Sequence, residues 1–150
     1  MEVQPRRIAR AEMNGLAFFD TNVLVYADDT SAPEKRNRAI ALFAEHLRRG
    51  TAVVSLQVLQ EYFAAATRKL GVAPEIAQRK VEILAHGRVV RFDASDVIAA
   101  IELHRLTQIS FWDALIVHAA RSAGAVVLYT EDLQPEAVLG GVRVANPFLA

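Results

Sequence analysis

The sequence predicts an α/β fold, a sandwich of helices around a mostly parallel sheet. Three observations carry this expectation. Short apolar runs of strand length alternate with longer stretches of helical periodicity. The strand candidates are apolar at successive positions, as strands covered on both faces are. No internal repeat, low-complexity tract or long linker divides the 150 residues, so they make one domain.

The first strand is the run Leu16-Ala17-Phe18-Phe19, which ends at Asp20. A helix follows, announced by Ser31-Ala32-Pro33-Glu34 as N-cap, Pro at the first turn and capping-box Glu. Ile40, Phe43, Ala44 and Leu47 recur on one stripe, and Gly50 closes it. Thr51-Ala52-Val53-Val54 is the second strand. The next helix runs from Leu56 to Leu70 with Leu59, Tyr62, Phe63, Ala66 and Leu70 on its apolar stripe, and Gly71 stops it. Pro74 to His86 makes another helix before Gly87, and Val89-Val90-Arg91-Phe92 is a third strand. Asp93 or Ser95 caps a helix that reaches about Leu106, and Asp93 and Asp96 both suit its first turn. Ser110 caps a helix over 111–123 that Gly124 terminates. Ala125-Val126-Val127-Leu128-Tyr129 is the clearest buried strand, and Val142-Arg143-Val144-Ala145 is the last.

Composition excludes several classes. Hydrophobic residues make up 53% of the chain, too many for a disordered protein, yet no apolar run approaches the ~18 residues of a membrane span. Arg6, Arg7 and Arg10 have no apolar segment behind them, so a signal peptide is not expected. Cysteine is absent, which removes disulfides, thiolate metal sites and a thiol nucleophile. A soluble, cytoplasmic protein is therefore expected, with residues 1–14 a polar extension, residues 1–12 an optional start before Met13, and the domain at 15–150. There is no G-x-G-x-x-G, no G-x-x-x-x-G-K-[ST] and no G-x-S-x-G. His46, His86, His104 and His118 lack metal-ligand spacing and are expected at the surface or at helix ends.

Carboxylates remain. In an open parallel sheet, ligands bind beyond the carboxyl ends of the strands. Asp20 directly follows the first strand, Asp132 follows the strand ending at Tyr129, and Asp113 lies in the first turn after Ser110. Glu61 lies on the Gln57-Glu61-Ala64-Arg68 side of its helix, off the apolar stripe. Each acid also has a purely structural reading. Asp20 and Asp113 suit helix starts, Asp132 suits a turn, and Glu61 suits an ion pair with Arg68. Brought together, however, they repel one another and raise each other's pKa unless a cation neutralises them. Hard oxygen ligands without Cys or His suit Mg2+ or Mn2+, the ions of phosphodiester hydrolysis.

The run Phe19-Asp20-Thr21-Asn22-Val23-Leu24-Val25-Tyr26-Ala27 resembles the opening motif of PIN-domain nucleases. Gln60-Glu61-Tyr62, Ser110-Phe111-Trp112-Asp113-Ala114-Leu115-Ile116 and Leu128-Tyr129-Thr130-Glu131-Asp132-Leu133 resemble its three later motifs in the same order, and Asn146-Pro147-Phe148 its usual ending. The resemblance spans about residues 16–148 and is narrowest to VapC-type toxins of toxin–antitoxin modules. It implies a three-layer α/β/α sandwich with a four- to five-stranded, mostly parallel sheet in the order 3-2-1-4-5. It further implies a Mg2+- or Mn2+-dependent endoribonuclease, homodimeric and held inactive by a cognate antitoxin. By motif match, Asp20 and Asp113 are the principal metal ligands, Asp132 is a further ligand or a water-mediated contact, and Glu61 completes the catalytic pocket. Thr21, Asn22 and Thr130 are supporting polar groups, and Glu131 competes with Asp132 for the place facing the pocket. The extension before the first motif departs from the family pattern.

Rival folds fare worse. A haloacid-dehalogenase-like phosphatase needs an acid at position 22, which is Asn, and a receiver domain needs a Lys beyond Lys80, the last in the chain. The competing expectation is a PIN-like module that binds RNA or a protein without cutting. For RNA, the expected phosphate contacts are Lys35, Arg36, Arg38, Arg68 and Lys69. The 17 basic groups balance 17 acidic ones, but without the four pocket acids 13 face 17. Net neutrality is thus compatible with an acidic pocket in a modestly basic surround.

Overall fold

Buried Ala17–Phe19, β1, is the strand around which the described residues, 14–149, are organised in this computed structural model. After it come α1 (Thr21–Tyr26), α2 (Pro33–Arg49), β2 (Ala52–Ser55), α3 (Leu56–Lys69), α4 (Pro74–Ala85) and β3 (Arg88–Val90). The chain continues through α5 (Ala94–Thr107), α6 (Phe111–Ser122), β4 (Val127–Tyr129), β5 (Val138–Leu139) and β6 (Val142–Ala145). The expected optional start, 1–12, lies outside the described residues, as does all but Asn14 of the expected extension.

The sheet order is β3-β2-β1-β4-β6-β5. Every pairing from β3 to β6 is parallel, in agreement with the expected order when β6 is counted as the fifth strand. The addition is β5, antiparallel to β6, which makes six strands rather than four or five. Gly140 and Gly141, at φ 57° and 82°, form the two-residue turn between them. A turn with both central residues left-handed matches the strand twist, and glycine adopts it without Cβ strain. Helices flank the sheet in two groups: α1 packs against both α2 and α3, α3 packs against α4, and α5 pairs with α6, which lies against β2, β4 and β6.

Helix α1 is not among the expected elements. Its six residues are too few to be helical alone, and the β-branched Val23 and Val25 lower its helix propensity. Asp20 caps it, accepting from Thr21 N at 2.7 Å. Val23 and Leu24 are buried beneath it. Beyond its end, Asp28 accepts from Tyr62 Oη of α3 at 2.6 Å and from Lys80 Nζ of α4 at 3.2 Å. Tertiary contacts thus override propensity.

Two local expectations need correction. Ser31 does not cap α2: the cap residue is Ala32 without a side-chain bond, and Ser31 Oγ donates to Asp29 Oδ1 at 2.6 Å instead. Pro33 at the first turn leaves one fewer orphan amide there to be capped. His46 lies in the last turn of α2, at a helix end as expected, but is fully buried rather than at the surface. Its Nδ1 lies 2.8 Å from Thr51 Oγ1 and its Nε2 3.4 Å from Tyr129 Oη, so both ring nitrogens have hydroxyl partners and the ring packs against Phe19 and Tyr129. His118 is also inside, with Nε2 2.8 Å from Asp96 Oδ1, joining α6 to the capped start of α5. His86, at the end of α4, bonds the Glu82 carbonyl at 2.7 Å as a helix-end histidine.

Candidate active site

Three segments that are distant in sequence end at the same place. β1 delivers Asp20, the loop after β4 delivers Asp132, and Ser110 starts α6 so that Asp113 falls in its first turn. Ser110 Oγ accepts from Asp113 N at 3.1 Å, which fixes that start. One carboxylate oxygen from each of Asp20, Asp113 and Asp132 lies within 4.8 Å of the other two.

Uncharged donors hold these acids. Asp20 accepts from Thr21 N through Oδ1 and from Thr130 Oγ1 through Oδ2 at 2.8 Å. Asn22 Nδ2 donates to Asp132 Oδ2 at 2.9 Å and to Thr130 Oγ1 at 3.2 Å. Asp132 N donates to the same hydroxyl at 3.1 Å. Thr21, Asn22 and Thr130, the expected supporting polar groups, are thus all hydrogen-bonded within the acid cluster.

Glu61 adjoins this group without belonging to it. Thr21 Oγ1 donates to its Oε2 and Gln57 Nε2 to its Oε1, each at 2.7 Å. The expected structural pairing with Arg68 is not made; the Thr21 and Gln57 donors occupy both carboxylate oxygens. In the sequence Gln57 is only a neighbour on the same helix side, because a lone Gln one turn before an acid carries no pattern of its own. Glu131 lines the same cleft but is not one of the three clustered acids; it pairs with Lys35 Nζ at 3.0 Å and Tyr26 Oη at 2.8 Å.

Burial is what makes the acid group electrostatically costly. Asp20 is 4% exposed, and desolvation, reinforced by Asp132 and Glu61, pushes its carboxyl up to about 7 despite the Thr130 and Thr21 bonds. Desolvation likewise raises Asp113, with Asp132 and Glu61 adding to it and Ser110 opposing it.

A cleft of about 720 Å3 opens beside the acids. Thr21, Asn22, Glu61, Glu131 and Asp132 line it together with Arg68 and Lys69 from the end of α3. Of the other expected phosphate contacts, Lys35 is engaged by Glu131 and stacks over the Tyr26 ring, and Arg38 Nε donates to the Pro147 carbonyl at 3.1 Å. Arg36 is half-buried on α2 and does not line the cleft.

The donor set fits a small hard dication: three carboxylates, no sulfur or imidazole, and no ion-pairing cation on any of the three among the described residues. Asn22 Oδ1 and Gln57 Oε1 are buried without a hydrogen-bond partner, leaving acceptor capacity beside the acids.

A family model described as PIN domain matches residues 17–138. No curated protein matches the chain by sequence. Among solved structures, the chain is similar to one from a toxin–antitoxin complex of Klebsiella pneumoniae, with a TM-score of 0.62 and 20% identity over 88% of this chain and 98% of that one. It is similar to Mycobacterium tuberculosis VapC20, described as a Sarcin-Ricin loop cleaving toxin, with a TM-score of 0.63 and 22% identity over 77% and 91% of the two chains. A chain of DNA-bound VapBC from Salmonella typhimurium has a TM-score of 0.61 and 19% identity over 89% and 98%. At these identities the likeness is one of fold.

Proposed function

Because the chain belongs to the PIN domain family, we propose that it is a divalent-cation-dependent endoribonuclease and the toxin of a type II toxin–antitoxin pair. The observation that carries this reading is the meeting of Asp20, Asp113 and Asp132 within 4.8 Å, held by uncharged donors beside a cleft with basic residues. Such a group of acids is stable as a set of anions only with a cation among them.

Asp20, Asp113 and Asp132 would hold Mg2+ or Mn2+, and Glu61 completes the catalytic pocket. A cation held there would supply Lewis acidity towards a phosphoryl oxygen and make water more acidic. Thr21, Asn22 and Thr130 keep the carboxylates oriented. Arg68 and Lys69 take the RNA backbone in the cleft, with Lys35, Arg36 and Arg38 as outlying contacts. Hydrolysis joins the water oxygen to phosphorus and breaks the P–O3′ bond. A proton passes to the departing oxygen, leaving a 5′-phosphate and a 3′-hydroxyl.

The toxin role draws on the fold neighbours, which are a VapC toxin and chains of toxin–antitoxin complexes. Under this reading the protein acts in the cytoplasm as a homodimer and is silenced by a cognate antitoxin. No described helix is long and apolar enough to cross a membrane. Incubating the protein with RNA in Mg2+ or Mn2+, with and without a chelator, tests the reaction. Cation-dependent fragments bearing 5′-phosphates are expected. RNA that is bound but left intact would favour a non-cutting PIN-like module instead.

A further inference from the structure

We propose that Gln57 is a positioning residue, an uncharged clamp that fixes the Glu61 carboxylate against the first turn of α6. The proposal rests on the reading of the acidic pocket given above and deepens it. Gln57 is the second residue of α3, one helical turn before Glu61, and is 5% exposed. Its Nε2 donates to Glu61 Oε1 at 2.7 Å and reaches the carbonyl of Trp112 at 3.4 Å. Trp112 immediately precedes Asp113, so one amide nitrogen spans the helix that carries Glu61 and the helix that carries Asp113.

The orientation of this amide follows from its neighbours. A flipped side chain would set Oε1 against a carboxylate and a carbonyl, two acceptors, so the nitrogen must face them. Oε1 is then left buried and without a partner. A side chain needed only to fill this space would be Leu or Met, which strand no acceptor. The amide is explained by what its nitrogen holds. With Thr21 Oγ1 on Oε2 at 2.7 Å, Glu61 is gripped at both oxygens from two different elements.

Neutrality is the second part of the inference. Lys or Arg would bind Glu61 more strongly but would add a positive charge beside the aspartates and oppose a dication. Asn22 does for Asp132 what Gln57 does for Glu61. Charged donors are used instead at Glu131 and Asp28, outside the three-aspartate group.

Two substitutions test the clamp, each first checked by thermal melting in chelator. Gln57→Met keeps length and volume and removes the donor. It is expected to lower kcat on a single-stranded RNA oligonucleotide by about 10- to 100-fold with KM little changed. In a Glu61→Gln background the same change is expected to add less than about twofold, since Gln57 acts through Glu61. Gln57→Lys restores a donor but adds charge. Without RNA present, it is expected to raise the Mg2+ concentration that half-maximally stabilises the protein by about tenfold or more. Wild-type kcat in Gln57→Met, an equal loss in both backgrounds, or wild-type Mg2+ dependence in Gln57→Lys would overturn the proposal. A wild-type protein stabilised by Mg2+ that cuts no RNA contradicts the nuclease reading alone, because the Mg2+ arm still decides whether Gln57 must be neutral.

Discussion

Thr130 donates from Oγ1 to Asp20 Oδ2 at 2.8 Å while fully buried, and the same oxygen accepts from Asn22 Nδ2 and Asp132 N. One hydroxyl therefore ties the end of β1, the start of α1 and the loop after β4. Removing it leaves Asp20 with one donor fewer in a desolvated site. Thr130→Val, which keeps the shape, is expected to cost about 1–3 kcal/mol of stability and to weaken Mg2+ binding about tenfold or more. Chemical denaturation and a calorimetric Mg2+ titration measure the two effects.

The raised Asp20 carboxyl gives stability a defined pH dependence. Between the unfolded value near 3.8 and the folded value of about 7, the folded state holds the proton that the unfolded state has lost. Stability in chelator should therefore fall as pH rises through this window. A bound dication replaces the proton, so stabilisation by Mg2+ should grow from pH 5 to pH 8. Asp20→Asn removes the buried charge. Its melting temperature in chelator at pH 8 should exceed that of the wild type, while its response to Mg2+ is lost. Melting curves across pH, with and without Mg2+, check both statements.

The buried His46 has the opposite slope. Burial holds its pKa below 6.5, so the unfolded chain takes a proton that the folded ring refuses as pH drops below that value. Stability attributable to His46 is then lost on acidification. His46→Gln should flatten this part of the acid-side melting profile relative to wild type. An unchanged slope between pH 7 and pH 5 would contradict this role for His46.

The basic residues should separate in function. Lys35 is engaged by Glu131, and Lys35→Ala is expected to lower the melting temperature by only about 1–3 °C and to alter RNA binding little. Arg68 and Lys69 line the cleft. Replacing either by Ala should weaken RNA binding in chelator and reduce the salt slope by about 0.7 for each phosphate no longer neutralised. Fluorescence anisotropy over a salt series reads both quantities.

Much of this arrangement is legible in the sequence because local signals coincide with the chain ends that build the site. Apolar strands stop at Asp20 and just before Asp132, and Ser110 with Asp113 spells a helix start. What is not legible depends on tertiary partners. Helix α1 is capped by Asp20, buries Val23 and Leu24, and is followed by Asp28 tied to Tyr62 and Lys80, contacts that no local pattern encodes. His46 looks like a surface histidine at a helix end until Thr51 and Tyr129 supply hydroxyls for its ring. Strand β5 is only two residues long, and its sole local sign is the Gly140-Gly141 turn. Gln57 shows only its place one turn before Glu61, since its second partner, Trp112, is 55 positions away. Glu131 and Asp132 are adjacent acids in sequence, and the Lys35 pairing, not any local pattern, sets Glu131 apart.

The central claim is that Asp20, Asp113 and Asp132 together hold the cation on which RNA hydrolysis depends. Its most direct test is RNA cleavage in Mg2+ by the wild type beside Asp20→Asn and Asp113→Asn, each shown to be folded. Cleavage by the wild type is expected to stop on chelation and return with Mg2+, and rates in both variants to be reduced by about 100-fold or more. Cleavage that persists in both variants, or in chelator, would contradict the claim.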